Sequence, residues 1–351
     1  MRLAAAATHN RWHPDLEPVA SVAPGEEVTL ETLDGLAGQL TPASVHADVL
    51  GLELGLAHPL TGPLHVEGAG PGDLLEVEFV ALETASFGTT AVVPGFGFLA
   101  DVFAEPYLVK WRIEAGVARA DELPGVAVPE AAFPGVVGVA PSAELVERFR
   151  GREEAIRGAG GPVADQAPDA AIPASAREGL RTIPPRELGG NLDVRQLVAG
   201  SKLYLPVQVP GALLSVGDLH FAQGDGEVCG TAIEVEGSVT LRLRVLPGRS
   251  AGRFPMYVTP GEPGRGPWFA TTGIPTEAGM DVGAAAREAL LEMIGLLSAR
   301  LGLERAAAYA LCSVAVDLRI SEAVDVPYPL VSALLPLDVL APEARSLVGM
   351  P

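Results

Sequence analysis

The sequence predicts a mainly β protein with α/β additions, and three observations carry that prediction. The chain has 41 glycines and 31 prolines, and turn signals such as Pro24-Gly25 and Pro71-Gly72 separate short apolar runs through residue 280. Several of these runs alternate apolar and polar residues, as half-buried strands do. One later segment repeats its apolar residues at helical spacing instead. We therefore expect a β-sandwich-type core and a smaller α+β part containing a long C-terminal helix.

Three segments are predicted to be strands. Residues 27–33, 74–80 and 231–245 alternate apolar and polar side chains, and the alternation is nearly strict over residues 238–245. A period of two places the apolar side chains on one face of a strand. These strands are expected to form sandwiches or open barrels.

The main helix is predicted near the C-terminus. It is expected over residues 282–303, with Gly302 as its stop, because four apolar residues recur there at helical spacing: Ala286, Leu290, Ile294 and Leu297. The apolar run at residues 308–320 is interpreted as a helix followed by a strand.

The chain is divided into two parts on this basis. Residues 1–250 are expected to form the β-rich core, and residues 251–351 an α+β part packed on it. Between residues 144 and 181 the sequence becomes polar and rich in alanine, glycine and proline. That segment is interpreted as a flexible insert, which could serve as a lid or a subunit arm.

Composition excludes several classes of function. The 351 residues are 48% hydrophobic, which is enough for a large core. The formal net charge of -20 and the lack of a Lys/Arg cluster argue against nucleic-acid binding, whereas a small neutral amide is indifferent to that charge. No apolar run approaches the roughly 18 residues of a membrane span, and residues 1–10 lack the features of a secretory signal. We expect a cytoplasmic protein that binds neither nucleic acid nor membrane.

Most of the residues able to do chemistry lie between residues 182 and 234. Asp218 and His220 are two apart, so on an extended strand both face the same side, as half of a zinc site requires. Taken alone, the same pair is better explained by a structural role, with Asp218 capping a turn and His220 donating to a backbone carbonyl. Gln223, Asp225 and Glu227 follow on a glycine-hinged loop and add groups for a metal shell or a general base. Burying so many charges is costly unless they are paired or bound to metal, which favours a functional site.

Other polar residues carry weaker signals. The segment Gly189-Gly190-Asn191-Leu192-Asp193 is predicted to be a turn that delivers an amide and a carboxylate, although such a turn is usually only structural. His58 precedes a rigid turn and either reaches the site or has a structural role. His9, Trp12 and His13 are interpreted as an arm docked on a sheet edge, with metal binding as the alternative.

Nucleophilic catalysis is not favoured. Ser201 and Ser215 lie near His220 in sequence, but no elbow motif exposes either hydroxyl. Cys229 has no basic residue close in sequence to lower its pKa, and it lies far from Cys312. Both cysteines are interpreted as buried thiols, without a disulfide.

Taken together, the words TIPPRELGGNLDV, SKLYLPV, PGALLSVGD and HFAQGDGEVCGTAIE resemble the signature region of the acetamidase/formamidase family of amidohydrolases, which spans residues 184–236 here. The resemblance continues in HPLTGPLHVEGAGPGDLLEVE, FPGVVGVAPS and AYALCSVAVDLRIS, and so covers most of the chain. It implies hydrolysis of formamide, acetamide or another short amide or lactam by a metal-activated water. It also implies a β-rich fold, a homo-oligomer, and a divalent metal such as zinc.

The resemblance also places individual residues. Asn191 and Asp193 match one element, Asp218 and His220 a second, and the loop that begins at Gln223 a third. From these positions we infer roles for the following residues: Asp193, Asp218 and His220 as metal ligands, Glu227 as general base, Asp225 and Asn191 as further catalytic residues, and His58 and Gln223 as substrate contacts. The sequence after Ser321 departs from the family pattern, which bears on substrate preference. The alternative is a non-catalytic β-rich binding or scaffold protein that retains the fold.

Overall fold

The mainly β prediction is confirmed by the structure, a computed structural model that describes the following residues: 1–5, 8–249, 252–261, 266–277 and 279–349. Within them, 19 strands belong to one curled sheet and two strands form a second, small sheet. The strands up to the first long helix are β1 (Arg2–Leu3), β2 (Thr8–His9), β3 (Arg11–Trp12), β4 (Ala20–Val22), β5 (Glu27–Thr32), β6 (Leu60–Val66), β7 (Leu74–Val92), β8 (Tyr107–Glu114), β9 (Val117–Arg119), β10 (Val128–Pro129) and β11 (Phe133–Gly138).

The remaining strands follow that helix. They are β12 (Leu180–Arg181), β13 (Pro185–Arg186), β14 (Gly189–Asn191), β15 (Lys202–Pro206), β16 (Ala212–His220), β17 (Glu234–Leu246), β18 (Met256–Thr259), β19 (Trp268–Gly273), β20 (Asp317–Glu322) and β21 (Leu330–Pro336). The α-helices are α1 (Ala143–Gly158), α2 (Val282–Leu301), α3 (Arg305–Ala315) and α4 (Pro342–Gly349). Short 3-10 turns occur at His46–Gly51, Leu54–Leu56, Pro168–Ala170, Ala174–Ala176 and Leu337–Val339.

The large sheet has two arms. The first arm contains β5, β17, β7, β15, β18, β19, β21 and β20 in hydrogen-bonded order. The second arm contains β4, β6, β16, β11, β14 and β13. Where the arms join, His220 of β16 pairs with Glu234 of β17. One apolar cluster contains side chains of both arms, such as Leu241 and Val216, and the burial of each contributes about 1.5–3 kcal/mol.

The predicted strands are present at their predicted places. Residues 27–32 form β5, and β17 covers most of the predicted segment 231–245. Leu241 of β17 lies opposite Phe79 of β7, and both side chains are buried, as the alternation requires. The strand predicted at residues 74–80 continues to Val92, because the second half of β7 pairs with β8.

The N-terminal arm is docked as predicted. β2 pairs with β6, and β3 pairs with β12. The buried His9 places Nε2 2.7 Å from Ser215 Oγ and Nδ1 2.8 Å from the carbonyl oxygen of Arg11. Burial lowers the pKa of His9 to about 4. Ser215 is fully buried under this arm, so its hydroxyl has a structural role here.

The turn predicted at Gly189-Gly190-Asn191 is wrong in its secondary structure. These residues form β14, which pairs with β11 and with β13. Gly189 and Gly190 have φ of 93° and 108°, a region that glycine adopts without steric cost. A Cβ at Gly189 would come within 2.9 Å of the Cα of Gly138 on β11. The glycines therefore allow a close strand approach, which delivers Asn191 and Asp193 to the site.

The polar segment at residues 144–181 contains a docked helix, which corrects the expectation of a flexible insert for residues 143–158. Ser142 caps α1 by accepting the N–H of Leu145, and Phe149 is fully buried beneath the helix. Glu153 of α1 accepts a hydrogen bond of 2.7 Å from the buried guanidinium of Arg186. The polar residues thus bind the core through ion pairs, which composition alone does not reveal. A lid role for the segment stays a prediction.

The C-terminal predictions are confirmed in their elements. Asp281 caps α2 through the N–H of Ala284, and Gly302 ends it with φ 67°. α3 and β20 follow as the predicted helix and strand. α2 packs on β19 and β21, while β18 pairs with β15 of the core, so the sheet runs across the predicted boundary at residue 250. The described part of the chain contains no helix with the length and apolarity that crossing a membrane requires.

Candidate active site

A small, partly open cavity lies at the junction of the two sheet arms. The volume open to the centres of water molecules is about 60 Å³. Polar side chains from distant parts of the sequence line one side of it: His58, Asn191, Asp218, Glu227, Thr231, Glu234 and Asp325. The remaining wall is apolar, with Phe96 and Ile183 among its residues. The site therefore combines a charged end with an apolar chamber.

The charged end is centred on His220. Its Nε2 lies 3.3 Å from Asp218 Oδ1 and 3.2 Å from Glu234 Oε1. Asp218 and His220 face the same side near the end of β16, as predicted, and Glu234 comes from the paired position on β17. All three side chains are at least 95% buried. These three residues, which we call the Nε2 group, can offer ligand atoms to one metal ion.

A second group shares the same imidazole. Asp193 Oδ1 lies 3.8 Å from His220 Nδ1, and Asp193, His220 and Glu227 have ligand atoms close enough together for one ion. We call these residues the Nδ1 group. Glu227 reaches the site from the loop after β16, which is fixed by the hydrogen bond from the N–H of Gly226 to the carbonyl of Ser321.

The contacts of Gln223 indicate which of the two groups is better suited to bind a metal ion. Its Nε2 donates to the carbonyl oxygens of Asp193 (2.9 Å) and Ser321 (3.3 Å), which orients its amide. Its Oε1 therefore lies toward His220 Nδ1, at 3.0 Å, and since this oxygen only accepts, Nδ1 must carry a proton. Although burial opposes the charged form, the carboxylates of Glu234 and Asp218 outweigh it and raise the pKa of His220 well above its usual value. When the imidazole is neutral, as a metal ligand must be, its lone pair is on Nε2, among these two carboxylates. The tautomer favours the Nε2 group as the metal-binding one.

Three of the acids occupy strained backbone positions. Asp193, Asp218 and Glu227 have φ of 44°, 57° and 45°, in the left-handed region that side chains rarely adopt. Such a conformation costs on the order of 1–3 kcal/mol per residue and is found most often at functional sites. The fold therefore stabilises an arrangement of carboxylates that the local backbone disfavours.

The site acids have shifted pKa values with identifiable causes. Burial raises the pKa of Glu234 to about 7 and, reinforced by Asp193, raises that of Glu227 well above its usual range. Burial, reinforced by Asp325, likewise raises the pKa of Asp193. For Asp218 the effect of burial is outweighed by the nearby imidazoles of His220 and His58, and its pKa is lowered.

Asn191 and His58 complete the polar wall. Asn191 Nδ2 donates to Asp325 Oδ2, which leaves Asn191 Oδ1 without a hydrogen-bond partner. The N–H of His58 donates to Thr182 Oγ1 at 2.7 Å, while His58 Nδ1 has no partner although it is buried. Burial lowers the pKa of His58. Both side chains thus offer free polar atoms at the cavity, as predicted from the sequence.

Two predicted site residues have other positions. Asp225 does not line the cavity, because its carboxylate accepts hydrogen bonds from Gln196 (3.1 Å) and Arg319 (3.3 Å). Gln223 orients His220 and lines a neighbouring cleft together with Glu227, so its substrate contact stays a prediction. Cys229 is partly exposed, and the buried-thiol prediction holds for Cys312 alone.

Three acids were missed by the sequence reasoning: Glu234, Glu322 and Asp325. The register of β17 shifts after Val235, so the alternation further along the strand could not place Glu234. The fully buried Glu322 accepts the N–H groups of Val324 and Asp325 and so shapes the loop that brings Asp325 to Asn191. The two acidic residues of the segment EAVDV after Ser321 were the signal that could have indicated Glu322 and Asp325. From the sequence, this segment was interpreted only as a departure from the family pattern.

The residues present fit a cation. Glu234 Oε2 and both carboxylate oxygens of Asp193 are buried without a hydrogen-bond partner. A Cβ at Gly135 would lie 2.6 Å from Asp218 Oδ2, and one at Gly35 would lie 2.9 Å from Glu234 Oε2. The two glycines therefore keep space around the carboxylates. Oxygen and imidazole ligands suit zinc and similar divalent ions.

The role of Gln223 leads to a prediction. We expect Gln223→Leu to weaken divalent-cation binding by roughly 10–100-fold, because His220 loses the acceptor that fixes its tautomer. Isothermal titration of the metal-free protein with zinc measures the change. Gln208→Leu is the matched control, since Gln208 is far from the site and bonds only the carbonyl of Pro206. Equal zinc affinity in the Gln223 variant and the wild type would show that this amide does not fix the proton on His220 Nδ1.

Fold and site together define a β-rich protein with buried carboxylate and imidazole groups that could hold a metal ion. The sequence matches the acetamidase/formamidase family over residues 1–341, and the chain belongs to this family. The resemblance noted from the sequence is thereby confirmed.

Individual relatives agree with this assignment. A formamidase of Methylophilus methylotrophus is 34% identical over an alignment of 375 positions, gaps included. The alignment covers 96% of this chain and 90% of that protein. A curated relative from Schizosaccharomyces pombe is 38% identical over 265 residues, and there the chain spans only 64% of the relative's length. The crystal structure of an acetamidase from Bacillus halodurans has a TM-score of 0.78 and 29% identity, covering 97% of this chain and 98% of that one.

Proposed function

We propose that the chain hydrolyses a small amide to a carboxylate and ammonia or an amine. The observation that carries the proposal is the cluster of buried acids around His220, beside a small cavity that several of them line. The family match and the relatives named formamidase and acetamidase support the prediction of an amidohydrolase. The alternative of a non-catalytic scaffold is not favoured, because the site retains unpartnered polar atoms that a structural core would have no use for.

The Nε2 group is our choice for the cation. When bound there, a divalent ion such as zinc would polarise the amide carbonyl and lower the pKa of a water molecule. Asp218 and Glu234 would supply oxygen ligands and His220 its Nε2, while Asp193 stays close enough to assist. This assignment adds Glu234 to the ligands proposed from the sequence.

Glu227 is our choice for the general base. Its carboxyl group lines the cavity beside Glu234 and is 7% exposed, so it is accessible to a bound water but shielded from bulk solvent. It would take a proton from the attacking water and pass it to the leaving nitrogen. The carboxylic acid formed gives its own proton to the released ammonia, so that water and amide yield carboxylate and ammonium. Asn191 Oδ1 and His58 Nδ1 have no other partner and would hold the polar atoms of the substrate.

Ammonia release tests this proposal. The purified protein is assayed with formamide, acetamide, propionamide and 2-pyrrolidinone, with amine detection for ring opening, before and after chelation and with zinc restored. We expect turnover that chelation abolishes and zinc restores. Turnover that is unaffected by complete removal of metal, verified by elemental analysis, would contradict the metal-assisted mechanism. A protein that binds zinc but releases no ammonia from any of these amides would contradict the amidase itself.

The predicted homo-oligomer is retained as part of the proposal. Tyr309 and Val314 on α3 are 61% and 83% exposed, and Leu318 and Ile320 on the adjoining β20 are 48% and 42% exposed. In the described part of the chain, residues 317–320 pair on one side only, with β21. Since the chain carries a net charge of -20, a face with few charges is where two copies repel each other least. We propose that this face contacts a second copy.

Light scattering coupled to size-exclusion chromatography checks the oligomer. The wild type is expected to elute as an oligomer, and Val314→Glu combined with Ile320→Lys is expected to shift it to a smaller species, because charged groups at a contact are left unpaired. The control pair Val102→Glu and Val126→Lys changes exposed valines elsewhere. A monomeric wild type, or an oligomer unchanged by the first pair, would contradict the assigned face.

A further inference from the structure

The apolar wall of the cavity is larger than the smallest amides can use. It is formed by six side chains that face the acidic end: Leu36, Leu54, Ala57, Val93, Phe96 and Ile183. Leu36, Ala57 and Val93 are at most 8% exposed, so they form a fixed surface. Formamide carries no carbon beyond its carbonyl and would leave this surface uncovered. An apolar wall contributes to binding only where a hydrocarbon group lies against it.

The size of the cavity limits that group. The cavity volume of about 60 Å³ is well below the roughly 300–1,000 Å³ of pockets that bind drug-sized ligands. The amide group itself takes up part of that space. A compact branched or cyclic hydrocarbon fits the remainder, whereas an aromatic amide exceeds it.

Phe96 is the wall residue whose position is most clearly set by the backbone. Its N–H donates to the carbonyl of Val93 at 3.0 Å, and its ring is packed against Gly230, where φ is 90°. Any side chain at Gly230 would collide with that ring. Gly230 belongs to the same loop as Glu227, and its N–H donates to the carbonyl of Glu227. The loop that carries the proposed base therefore also holds the aromatic part of the wall.

We propose that the site selects amides bearing a compact branched or cyclic hydrocarbon group, with Phe96 as the residue that determines this preference. The inference rests on the proposed amidase function and narrows its substrate class. The hydrocarbon lies against Leu36, Val93 and Phe96, while the amide faces Glu227 and His58. The group could be attached through the acyl carbon, through the nitrogen, or through both in a lactam, and the substrates below separate these cases.

Steady-state kinetics test the proposal. We expect kcat/KM to rise roughly tenfold with each carbon added from acetamide to propionamide to isobutyramide, and to fall again for benzamide. Isobutyramide carries the hydrocarbon on the acyl side, N-isopropylformamide on the nitrogen, and 2-pyrrolidinone on both, so the fastest of the three identifies the attachment. In Phe96→Ala, the ratio of kcat/KM for isobutyramide to that for acetamide is expected to fall roughly tenfold.

Phe103→Ala is the matched control, because Phe103 is 57% exposed and does not line the cavity, and its ratio should equal that of the wild type. A kcat/KM that declines steadily from formamide upward, or a ratio unchanged in Phe96→Ala, would overturn the proposal while leaving the amidase function intact. If no amide is turned over, calorimetric binding of isobutyramide and acetamide gives the same comparison. Equal affinity for the two ligands would then overturn it.

Discussion

The Asp218→Asn variant is expected to lose its bound cation and at least about 10³-fold in amide turnover, because the substitution keeps the size of the side chain but removes a buried anionic ligand. Asp218 approaches His220 Nε2 to 3.3 Å and lies beside the space kept open by Gly35 and Gly135. Elemental analysis of the purified protein gives the metal content, and ammonia release gives the turnover. His220→Gln should behave in the same way.

The control for this experiment is His13→Ala. His13 lies on the N-terminal arm, where its Nδ1 accepts the N–H of Asp15. That variant should keep its metal and its turnover. An Asp218→Asn protein that retains stoichiometric zinc would move the cation from the Nε2 group to the Nδ1 group. Circular dichroism of each variant separates loss of metal from loss of fold.

Glu227→Gln is expected to lower kcat by roughly 10²–10⁴-fold while the protein keeps its cation, because the amide cannot accept the proton of the attacking water. Metal content and kcat are measured on the same preparation. Asp225→Asn is the matched control two residues away, since the Asp225 carboxylate contacts Gln196 and Arg319 outside the cavity. We expect that variant to keep most of its turnover.

Two results would change the assignment of Glu227. Loss of the cation in Glu227→Gln would make Glu227 a ligand, in agreement with its place in the Nδ1 group. Full turnover with the cation in place would exclude it as the base. If Asp225→Asn were instead the inactive variant, the role proposed for Asp225 from the sequence would stand and the geometric reasoning would be wrong.

Much of the fold was predictable because its strands and helices obey simple periodicities. The alternation in β17 and the helical spacing in α2 each reflect one buried face. Helix α1 was not found, since its polar face binds the core through Glu153 and Arg186, and ion pairs leave no apolar pattern. The strand β14 was read as a turn because glycines with positive φ occur in both settings.

The site was predictable where its residues are close in sequence. Asp218 and His220 are two residues apart on one strand and so face the same side. Their spacing in the sequence was therefore enough to predict that they lie together. Glu234 and Asp325 join them only through pairing across the sheet and through the loop shaped by Glu322. Those contacts join residues that are distant in sequence, and local sequence patterns do not predict them. Asp225 shows the converse: it belongs to a motif that resembles the family, but its side chain does not line this cavity.

The position of Asp325 has a consequence for how the protein matures. Its carboxylate holds Asn191, and the carbonyl of Ser321 helps orient Gln223, yet both residues are synthesised long after the core strands that they complete. Until Ser321 and Asp325 have been synthesised, Asn191 and Gln223 of a nascent chain lack these two hydrogen-bond partners. The polar wall is therefore complete only once residue 325 has joined residue 191 in the folded chain.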